Sequence, residues 1–224
     1  MGMLVNPYLE SAGGAVPVIE GFQKTQLTTN TQALVQAPTG IVAGELLVMM
    51  LANDLAHTDL DPFNTPAGWT KLDAFGGLSI GCHVVVYFKI ADGTEGATLI
   101  TWTGYSASES VSWMVRVSGA SSPIPTFTHS AATSNIFNVT NVTTTVDNSL
   151  VLYMLSFDGG DGDPFSVSGT GWNIEDEGSF GTAGGSSGVW GSKEMPTAGA
   201  SGTAVITAQV SDGAVWIGFP VSPS

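Results

Sequence analysis

The stretch Leu46-Leu47-Val48-Met49-Met50-Leu51-Ala52-Asn53-Asp54 has a counterpart in Leu150-Val151-Leu152-Tyr153-Met154-Leu155-Ser156-Phe157-Asp158. Each stretch is a nearly continuous apolar run that ends in an acidic residue. The run is too short for a typical helix, and in the first copy it is bounded by Gly44 and by Asn53-Asp54. These features predict a β-strand that is buried on both faces. Because the strand occurs twice, we expect the chain to contain one structural unit in two copies.

A second shared motif follows each apolar run. In the first copy it is Asp59-Leu60-Asp61-Pro62-Phe63 followed by Gly68-Trp69, and in the second it is Asp161-Gly162-Asp163-Pro164-Phe165 followed by Gly171-Trp172. Further matches continue along the chain at an offset that stays near 104 positions. A steady offset predicts an internal duplication with roughly five to six strands in each copy.

The remaining segments predict an all-β chain. They alternate between period two and short apolar runs, they are separated by Gly, Pro and Asp-Gly turn signals, and they show no helical stripe of useful length. The predicted strands are 28–36, 46–51, 69–75, 83–90, 97–103, 110–118, 136–145, 150–157, 172–177, 189–195, 202–207 and 214–217.

Two architectures are compatible with this pattern. The copies could interleave into a single β-sandwich with pseudo-twofold symmetry, or each copy could form an independent sandwich. The pseudo-repeats cover about 28–120 and 132–224, and residues 119–135 are the predicted connector. One copy lies near the lower end of common domain sizes and the connector is short, which favours the single sandwich over 28–224. Residues 1–27 are predicted to form an extended N-terminal arm that packs along the domain or reaches a neighbouring subunit.

Charge and composition exclude several classes of partner. The net charge is −14 and the chain has only five cationic side chains, which are scattered. Nucleic-acid binding needs clustered Lys and Arg, so DNA and RNA are not expected as partners, and an anionic membrane surface is disfavoured for the same reason. Only 11% of the residues are charged, and Ser, Thr, Asn and Gly take their place. Such a neutral-polar composition is typical of virion and extracellular β-proteins.

The chain also gives information about its compartment. Cys82 is the single cysteine and lies in an apolar alternating run, so we expect a small core residue and no intrachain disulfide. No N-terminal signal peptide and no run of membrane-spanning length are apparent. We therefore predict a soluble protein made in the cytoplasm, which a virion protein assembled inside a host cell also satisfies.

Three motifs together resemble a known family. They are Gly44-Glu45-Leu46-Leu47-Val48, Pro66-Ala67-Gly68-Trp69-Thr70 and Val86-Tyr87-Phe88-Lys89-Ile90-Ala91, followed by a last strand that carries Trp. This order resembles the repeated jelly-roll-like β-sandwich modules of tailed-bacteriophage virion proteins, over roughly residues 28–221. The start Met3-Leu4-Val5-Asn6-Pro7-Tyr8 also resembles the starts of small phage structural proteins. The second copy departs from the pattern, for example with Gly169-Thr170-Gly171 in place of Pro66-Ala67-Gly68. The resemblance implies a structural or adhesive role rather than a chemical reaction.

The acidic loops are the main candidate sites. Carboxylates supply the oxygen ligands that Ca²⁺ prefers, and flexible Gly residues lie between the acids of the second loop. The spacing is not that of an EF-hand, however, and Asp and Gly also build ordinary turns. The turn interpretation is therefore favoured, and calcium binding is left open. The acids in question are Asp54, Asp59 and Asp61 in the first copy and Asp158, Asp161 and Asp163 in the second.

The tryptophans suggest a second kind of site. The pairs Trp69/Trp172 and Trp113/Trp216 recur in both copies, which favours a role in the core, because each copy needs the same large side chain. Trp102 and Trp190 have no counterpart. They are therefore the better candidates for surface platforms on which a sugar ring could stack.

No catalytic motif is visible. His57, His83 and His129 are far apart and lack the spacing of a zinc site. No Gly-x-Ser-x-Gly elbow lies between a strand and a helix. We therefore predict no catalytic residue, no cofactor and no metal ligand.

Together these features predict a non-enzymatic structural protein of a bacteriophage virion, most directly a capsid decoration or cement protein or a head or tail appendage. The predicted partners are the major capsid protein or other virion proteins and further copies of this chain. The alternative is a carbohydrate-binding adhesion module on a phage tail or fibre, which would bind a host glycan.

Overall fold

A computed structural model describes residues 15–55, 57–77, 79–103, 108–121, 124, 126–139, 141–181 and 185–224. These residues form fifteen β-strands joined by turns and loops, and none of them lies in a helix. The prediction of an all-β chain is therefore confirmed. Over the same residues there is consequently no helix that is long and apolar enough to cross a membrane.

The first half of the chain contributes seven strands. They are β1 (Val18–Asn30), β2 (Gln32–Val35), β3 (Leu46–Asn53), β4 (Thr70–Gly76), β5 (His83–Ile90), β6 (Thr98–Thr101) and β7 (Ser108–Ser118). Five of them form an antiparallel sheet in the order β1-β7-β3-β5-β4, which we call the first sheet. Strands β2 and β6 pair with each other in a separate two-stranded sheet.

The second half contributes eight strands. They are β8 (Thr128–Val139), β9 (Thr143–Thr144), β10 (Ser149–Asp158), β11 (Ser166–Ser168), β12 (Asn173–Phe180), β13 (Ser186–Met195), β14 (Gly199–Ala200) and β15 (Ala204–Val221). The second sheet has the order β11-β15-β10-β13-β12, and β8 also pairs with β15. The long strand β15 pairs with β10 through its C-terminal part and with β11 through its N-terminal part.

The two halves use equivalent strand orders. The order β1-β7-β3-β5-β4 corresponds to β8-β15-β10-β13-β12, and the β2–β6 pair corresponds to the pairing of the end of β8 with the start of β15. The register agrees as well, since Met50 lies opposite Val86 and Trp113, whereas Met154 lies opposite Trp190 and Ile217. The structure thus shows two similar halves. Their origin in a duplication stays a prediction.

The two large sheets pack face to face. Their inner faces meet in one hydrophobic cluster, because alternate residues of each central strand point between the sheets. Strand β3 contributes Leu46, Val48, Met50 and Ala52, and strand β10 contributes Leu150, Leu152 and Met154. The result is a β-sandwich in which each half of the chain provides one sheet.

The outer face of each large sheet is also covered. Residues of β2 and β6 bury the outer face of the first sheet, and the end of β8 with the start of β15 buries the outer face of the second. The molecule therefore has four layers with three hydrophobic clusters. This explains why both central strands are almost fully buried, as the sequence predicted for the first of them.

The structure corrects several details of the sequence prediction. Each large sheet is built from one half of the chain, so the copies share the single sandwich by contributing one sheet each. The predicted connector 119–135 is too long, since β8 already begins at Thr128. Strand β1 begins at Val18, so much of the predicted arm 1–27 belongs to the first sheet. Residues 1–14 of that arm lie outside the described residues.

Candidate functional site

The two central strands end in acids that meet at one end of the sandwich. Asp54 follows β3 and Asp158 ends β10, and burial together with the negative charge of Asp158 raises the pKa of Asp54. One residue earlier, the backbone N–H of Asn53 donates to Ser156 Oγ at 3.2 Å, which links the same two strands. The repeated acid at the end of the apolar run therefore marks a contact between the two halves.

Two more acids lie close to this pair. Glu109 of β7 and Asp212 of β15 both raise the pKa of Asp54 through their negative charge, and Asp212 has the same effect on Asp158. The backbone N–H of Asp54 donates to the carbonyl of Glu109 at 3.0 Å, which fixes these residues side by side. We call Asp54, Glu109, Asp158 and Asp212 the acid cluster.

Buried polar atoms without a partner accompany the acid cluster. Glu109 Oε2 is buried and has no hydrogen-bond partner among the described residues. Ser186 is fully buried, its Oγ has no partner either, and it lies directly opposite Asp158 in the pairing of β10 with β13. Residues opposite each other on neighbouring strands point to the same face, so the Ser186 side chain lies on the Asp158 side of the sheet.

The cationic side chains of the chain lie elsewhere. Four of them form ion pairs, and the ammonium of Lys193 donates to the carbonyl of Ser201 at 2.6 Å and lies over the ring of Trp172. The four ion pairs are Lys24–Asp176, Lys71–Asp61, Lys89–Glu95 and Arg116–Glu45. The acid cluster therefore has no Lys or Arg as a counterion within the part of the chain that the structure describes.

This arrangement raises the pKa of both central acids. Burial and the neighbouring carboxylates, Asp158 first among them, raise the pKa of Asp54 to about 7. Burial and the charge of Asp212 raise the pKa of Asp158, while the hydrogen bond from Asp54 acts in the opposite direction.

The other acids of the first loop build turns. Asp59 Oδ1 accepts the backbone N–H of Asp61 at 3.2 Å, and the carboxylate of Asp61 forms its ion pair with Lys71 at 2.7 Å. Both acids are exposed. The contacts of Asp59 and Asp61 are those of ordinary turn residues, as the favoured interpretation of the loop expects. Asp54 has different neighbours and does not share a site with these two acids.

The second loop behaves similarly. Asp161 is exposed, and Asp163 is half-buried and precedes Pro164 through a cis peptide bond. In the described residues, no group of three or more His, Cys, Asp or Glu side chains has the arrangement needed to hold a metal ion. The geometry thus gives no support to a calcium site in either loop.

The comparisons with known proteins give no identification. No family model, no curated protein and no solved structure matches this chain.

The prediction that Trp102 and Trp190 lie on the surface is wrong. Trp102 is 4% exposed and Trp190 is fully buried between the two large sheets. The expected core positions of Trp69 and Trp172 are confirmed, and each packs beside an equivalent lysine, with Lys89 over Trp69 at 5.8 Å and Lys193 over Trp172 at 5.5 Å. Sequence reasoning overlooked that a fold with three hydrophobic clusters can bury an unmatched tryptophan.

The proposed match of Trp113 with Trp216 is also wrong by one residue. Trp113 lies opposite Met50, and the residue opposite the equivalent Met154 is Ile217. Since successive residues of a strand point to opposite faces, Trp216 faces the outer cluster whereas Trp113 faces the inner one.

Two polar contacts between the large sheets were not predicted. Lys24 of β1 pairs with Asp176 of β12 at 3.1 Å, and at the equivalent place His129 of β8 pairs with Asp73 of β4. The indole N–H of Trp113 also donates to Asp176 at 2.8 Å. Both contacts join residues that are far apart in the chain. The only sequence signal for them was that Lys24 and His129, and likewise Asp73 and Asp176, are separated by about the same offset as other equivalent positions of the two halves.

Cys82 and His83 are buried, as the apolar run around them predicted for the cysteine. The thiol of Cys82 lies 3.5 Å from the carbonyl of Ser156, and burial strongly raises its pKa. The ring of His83 contacts the carbonyls of Leu55 at 2.6 Å and Asp59 at 3.0 Å, and burial lowers its pKa. These contacts give both residues a structural role at the base of the first acidic loop.

Proposed function

We propose that this chain is a non-enzymatic structural protein of a bacteriophage virion, namely a capsid decoration or cement protein or a head or tail appendage. The observation that carries the proposal is the burial of both faces of both large sheets. Close-packed side chains resist deformation, which is what a particle shell requires of its components. The resemblance of the sequence to phage virion modules and its polar, low-charge composition support the same role.

One exposed surface suits a protein partner. Leu34 of β2 and Leu99 of β6 lie opposite each other on the outermost layer and are 44% and 43% exposed. The equivalent place in the second half holds Asn138 opposite Val205. The apolar pair therefore distinguishes one outer face from the other, and we assign it to contact with the major capsid protein or another virion protein.

The proposal includes assembly in the host cytoplasm, a final location on the virion and association of this chain with further copies of itself. The net charge of −14 supports the exclusion of nucleic acid and of anionic membranes as partners.

The test uses particles of the phage whose genome encodes this chain. Mass spectrometry of purified particles is expected to detect the protein, and recombinant protein is expected to sediment with the capsids. The double variant Leu34→Ser, Leu99→Thr should sediment at least tenfold less, whereas Ile136→Thr, which alters another exposed apolar residue, should sediment normally. Absence from both particles and pellets would refute the proposal.

A glycan-binding module is the second candidate, and one cavity favours it. A cavity of about 370 Å³ is lined by Phe127, Asn141, Thr143 and neighbouring residues, and Phe127 is 39% exposed. This combination of an exposed ring with hydroxyl and amide groups suits a sugar, and the volume is in the range of small-ligand sites. A glycan array should show binding that Phe127→Ala abolishes and Phe22→Ala, another exposed ring, retains. An array without any signal would remove this candidate.

A further inference from the structure

The cavity beside Phe127 lies where the first half of the chain carries a large side chain. In the first sheet Leu47 lies opposite Arg116 of β7, and in the second sheet the equivalent Val151 lies opposite Pro220 of β15. Pro220 lines the cavity. A short ring thus takes the place of a long cationic side chain.

Arg116 fills the corresponding place in the first half. Its guanidinium pairs with Glu45 at 2.8 Å, and Nη1 donates to the carbonyl of Thr39 at 2.9 Å. A Cβ atom at Gly40 would lie 2.8 Å from Nη1, so the guanidinium packs closely against the loop that follows β2. The arginine therefore closes this place in the first half.

The second half lacks both members of this ion pair. At the offset of 104 positions Ser149 replaces Glu45, and Pro220 replaces Arg116. The place is a cavity of about 370 Å³, and none of the described residues that line it carries a charged side chain. A charged ligand would be desolvated here without a counterion, which costs free energy, so the lining favours an uncharged one.

A backbone carbonyl points toward the ligand side of the loop. Thr143 is the equivalent of Thr39, whose carbonyl binds the guanidinium in the first half. The N–H of Ser201 donates to the carbonyl of Val142 at 2.8 Å, so Thr143 belongs to the next, non-hydrogen-bonded pair and directs its carbonyl away from β14. Pro220 has no side-chain donor for this carbonyl, whereas a hydroxyl group of a ligand can donate to it.

A side-chain hydroxyl adds a second polar group. Thr128 of β8 lines the cavity, and its buried Oγ1 has no hydrogen-bond partner among the described residues. A Cβ atom at Gly218 would lie 3.6 Å from this oxygen and 3.0 Å from the side chain of Val142, which also lines the cavity. Buried hydroxyl groups nearly always have a partner, so this one gains a hydrogen bond when a polar ligand reaches it.

The loop that forms one wall is held in place by its own contacts. Asn141 Oδ1 accepts the N–H of Gly202 at 2.9 Å, and the N–H of Val142 donates to Ser201 Oγ at 3.0 Å. A wall that is already formed loses little conformational freedom when a ligand binds.

We propose that this cavity binds one uncharged sugar unit, which stacks on Phe127 and forms hydrogen bonds with the Thr128 hydroxyl and the Thr143 carbonyl, and that Pro220 keeps the site open. A sugar ring fits this lining because it combines hydroxyl groups at its edge with C–H groups on its faces. The inference rests on the second candidate function, glycan binding, and adds to it the class of sugar and the residues that select it.

The first experiment is a glycan array that contains neutral glycans together with their sialylated or sulfated counterparts, probed with the full chain. We expect the neutral members to bind at least about tenfold more tightly, and Phe127→Ala to abolish the signal. Equal binding of neutral and acidic members, or a signal that Phe127→Ala retains, would overturn the proposal but not glycan binding itself. An array without any signal would remove both.

The second experiment transfers the ion pair of the first half to the second. The double variant Ser149→Glu, Pro220→Arg should fill the cavity, and the equivalent strand β7 shows that this fold accepts an arginine there. We expect it to melt like the wild type and to bind the strongest neutral glycan of the array at least about tenfold more weakly. Unchanged affinity in the folded double variant would overturn the proposal.

A single substitution keeps the test decisive if the double variant does not fold. Thr128→Val removes a hydroxyl that has no partner, so its melting temperature should not fall, while its affinity for the same glycan should fall about tenfold. Thr133→Val is the matched control, because Thr133 is an exposed threonine of the same strand outside the cavity lining, and it should bind like the wild type. Equal affinity of Thr128→Val and Thr133→Val would overturn the proposal.

Discussion

Two buried tryptophans offer a controlled measurement of one hydrogen bond between the sheets. Trp113 and Trp190 are both fully buried in the inner cluster, but the indole N–H of Trp113 donates to Asp176 at 2.8 Å whereas that of Trp190 has no partner among the described residues. Replacing each by Phe removes a similar ring volume from the same cluster. The two variants therefore differ mainly in the fate of the N–H group.

The expected difference follows from the energies of such groups. A hydrogen bond to a charged group contributes about 1.5–3 kcal/mol, and we take about 1.5 kcal/mol because the Asp176 side chain is 22% exposed and keeps its ion pair with Lys24. Removing the unsatisfied N–H of Trp190 relieves about 1 kcal/mol. Trp113→Phe should thus be less stable than Trp190→Phe by about 2.5 kcal/mol, or roughly 5–10 °C in Tm for a chain of this size.

The assay is urea unfolding of both variants with the slope m compared, followed by a double-mutant cycle between Trp113→Phe and Asp176→Ala, which removes the acceptor. The cycle should give a coupling energy of about 1.5 kcal/mol. If the free energies of unfolding of the two tryptophan variants agree within about 0.5 kcal/mol, or if the coupling energy is zero, the hydrogen bond between Trp113 and Asp176 does not stabilise the fold as argued.

Two further results are expected. A Cβ atom at Gly191 would lie 2.0 Å from the carbonyl oxygen of Asn173, so Gly191→Ala should lower the free energy of unfolding by about 3 kcal/mol. A Cβ atom at Gly96 would meet nothing within 4 Å, so Gly96→Ala should change the free energy of unfolding by less than about 0.5 kcal/mol in the same urea assay. Burial raises the pKa of Glu45, but the hydrogen bonds that Glu45 accepts, above all those from Arg116, outweigh burial and leave the pKa lowered. The Glu45–Arg116 pair therefore stabilises the fold above about pH 4.5, and this contribution is lost on acidification. Glu45→Gln should accordingly flatten the fall of the melting temperature between pH 5 and pH 3, and an unchanged acid limb would contradict this account.

The sequence predicted the central strands and the similarity of the halves, because both follow from local patterns. The run Leu46–Asn53 is apolar without interruption, and that requires cover on both faces wherever it lies. The similar order of strands followed from a constant offset along the chain. These features depend on short-range chemistry, which a single sequence displays directly.

The contacts between the halves could not be predicted in the same way. The match of Trp113 with Trp216 failed by one position, and in a strand one position exchanges the two faces. The meeting of Asp54 with Asp158 depends on how two sheets are stacked, which no local pattern encodes. The sequence analysis considered these acids only as members of two separate loops.

The inner cluster shows how two similar halves have adapted to each other. Trp113 of the first sheet packs over Gly188 of the second, where an added Cβ would lie 3.1 Å from the indole ring. In the second sheet, Ile217 occupies the position equivalent to Trp113, and in the first sheet Val84 occupies the position equivalent to Gly188. A very large and a very small residue are thus replaced by two residues of intermediate size. Both combinations fill a similar volume, but an exchange of one partner alone would leave a void or a clash. Each half is therefore fitted to its own partner sheet, and the joint between the sheets is specific rather than a generic contact between two apolar faces.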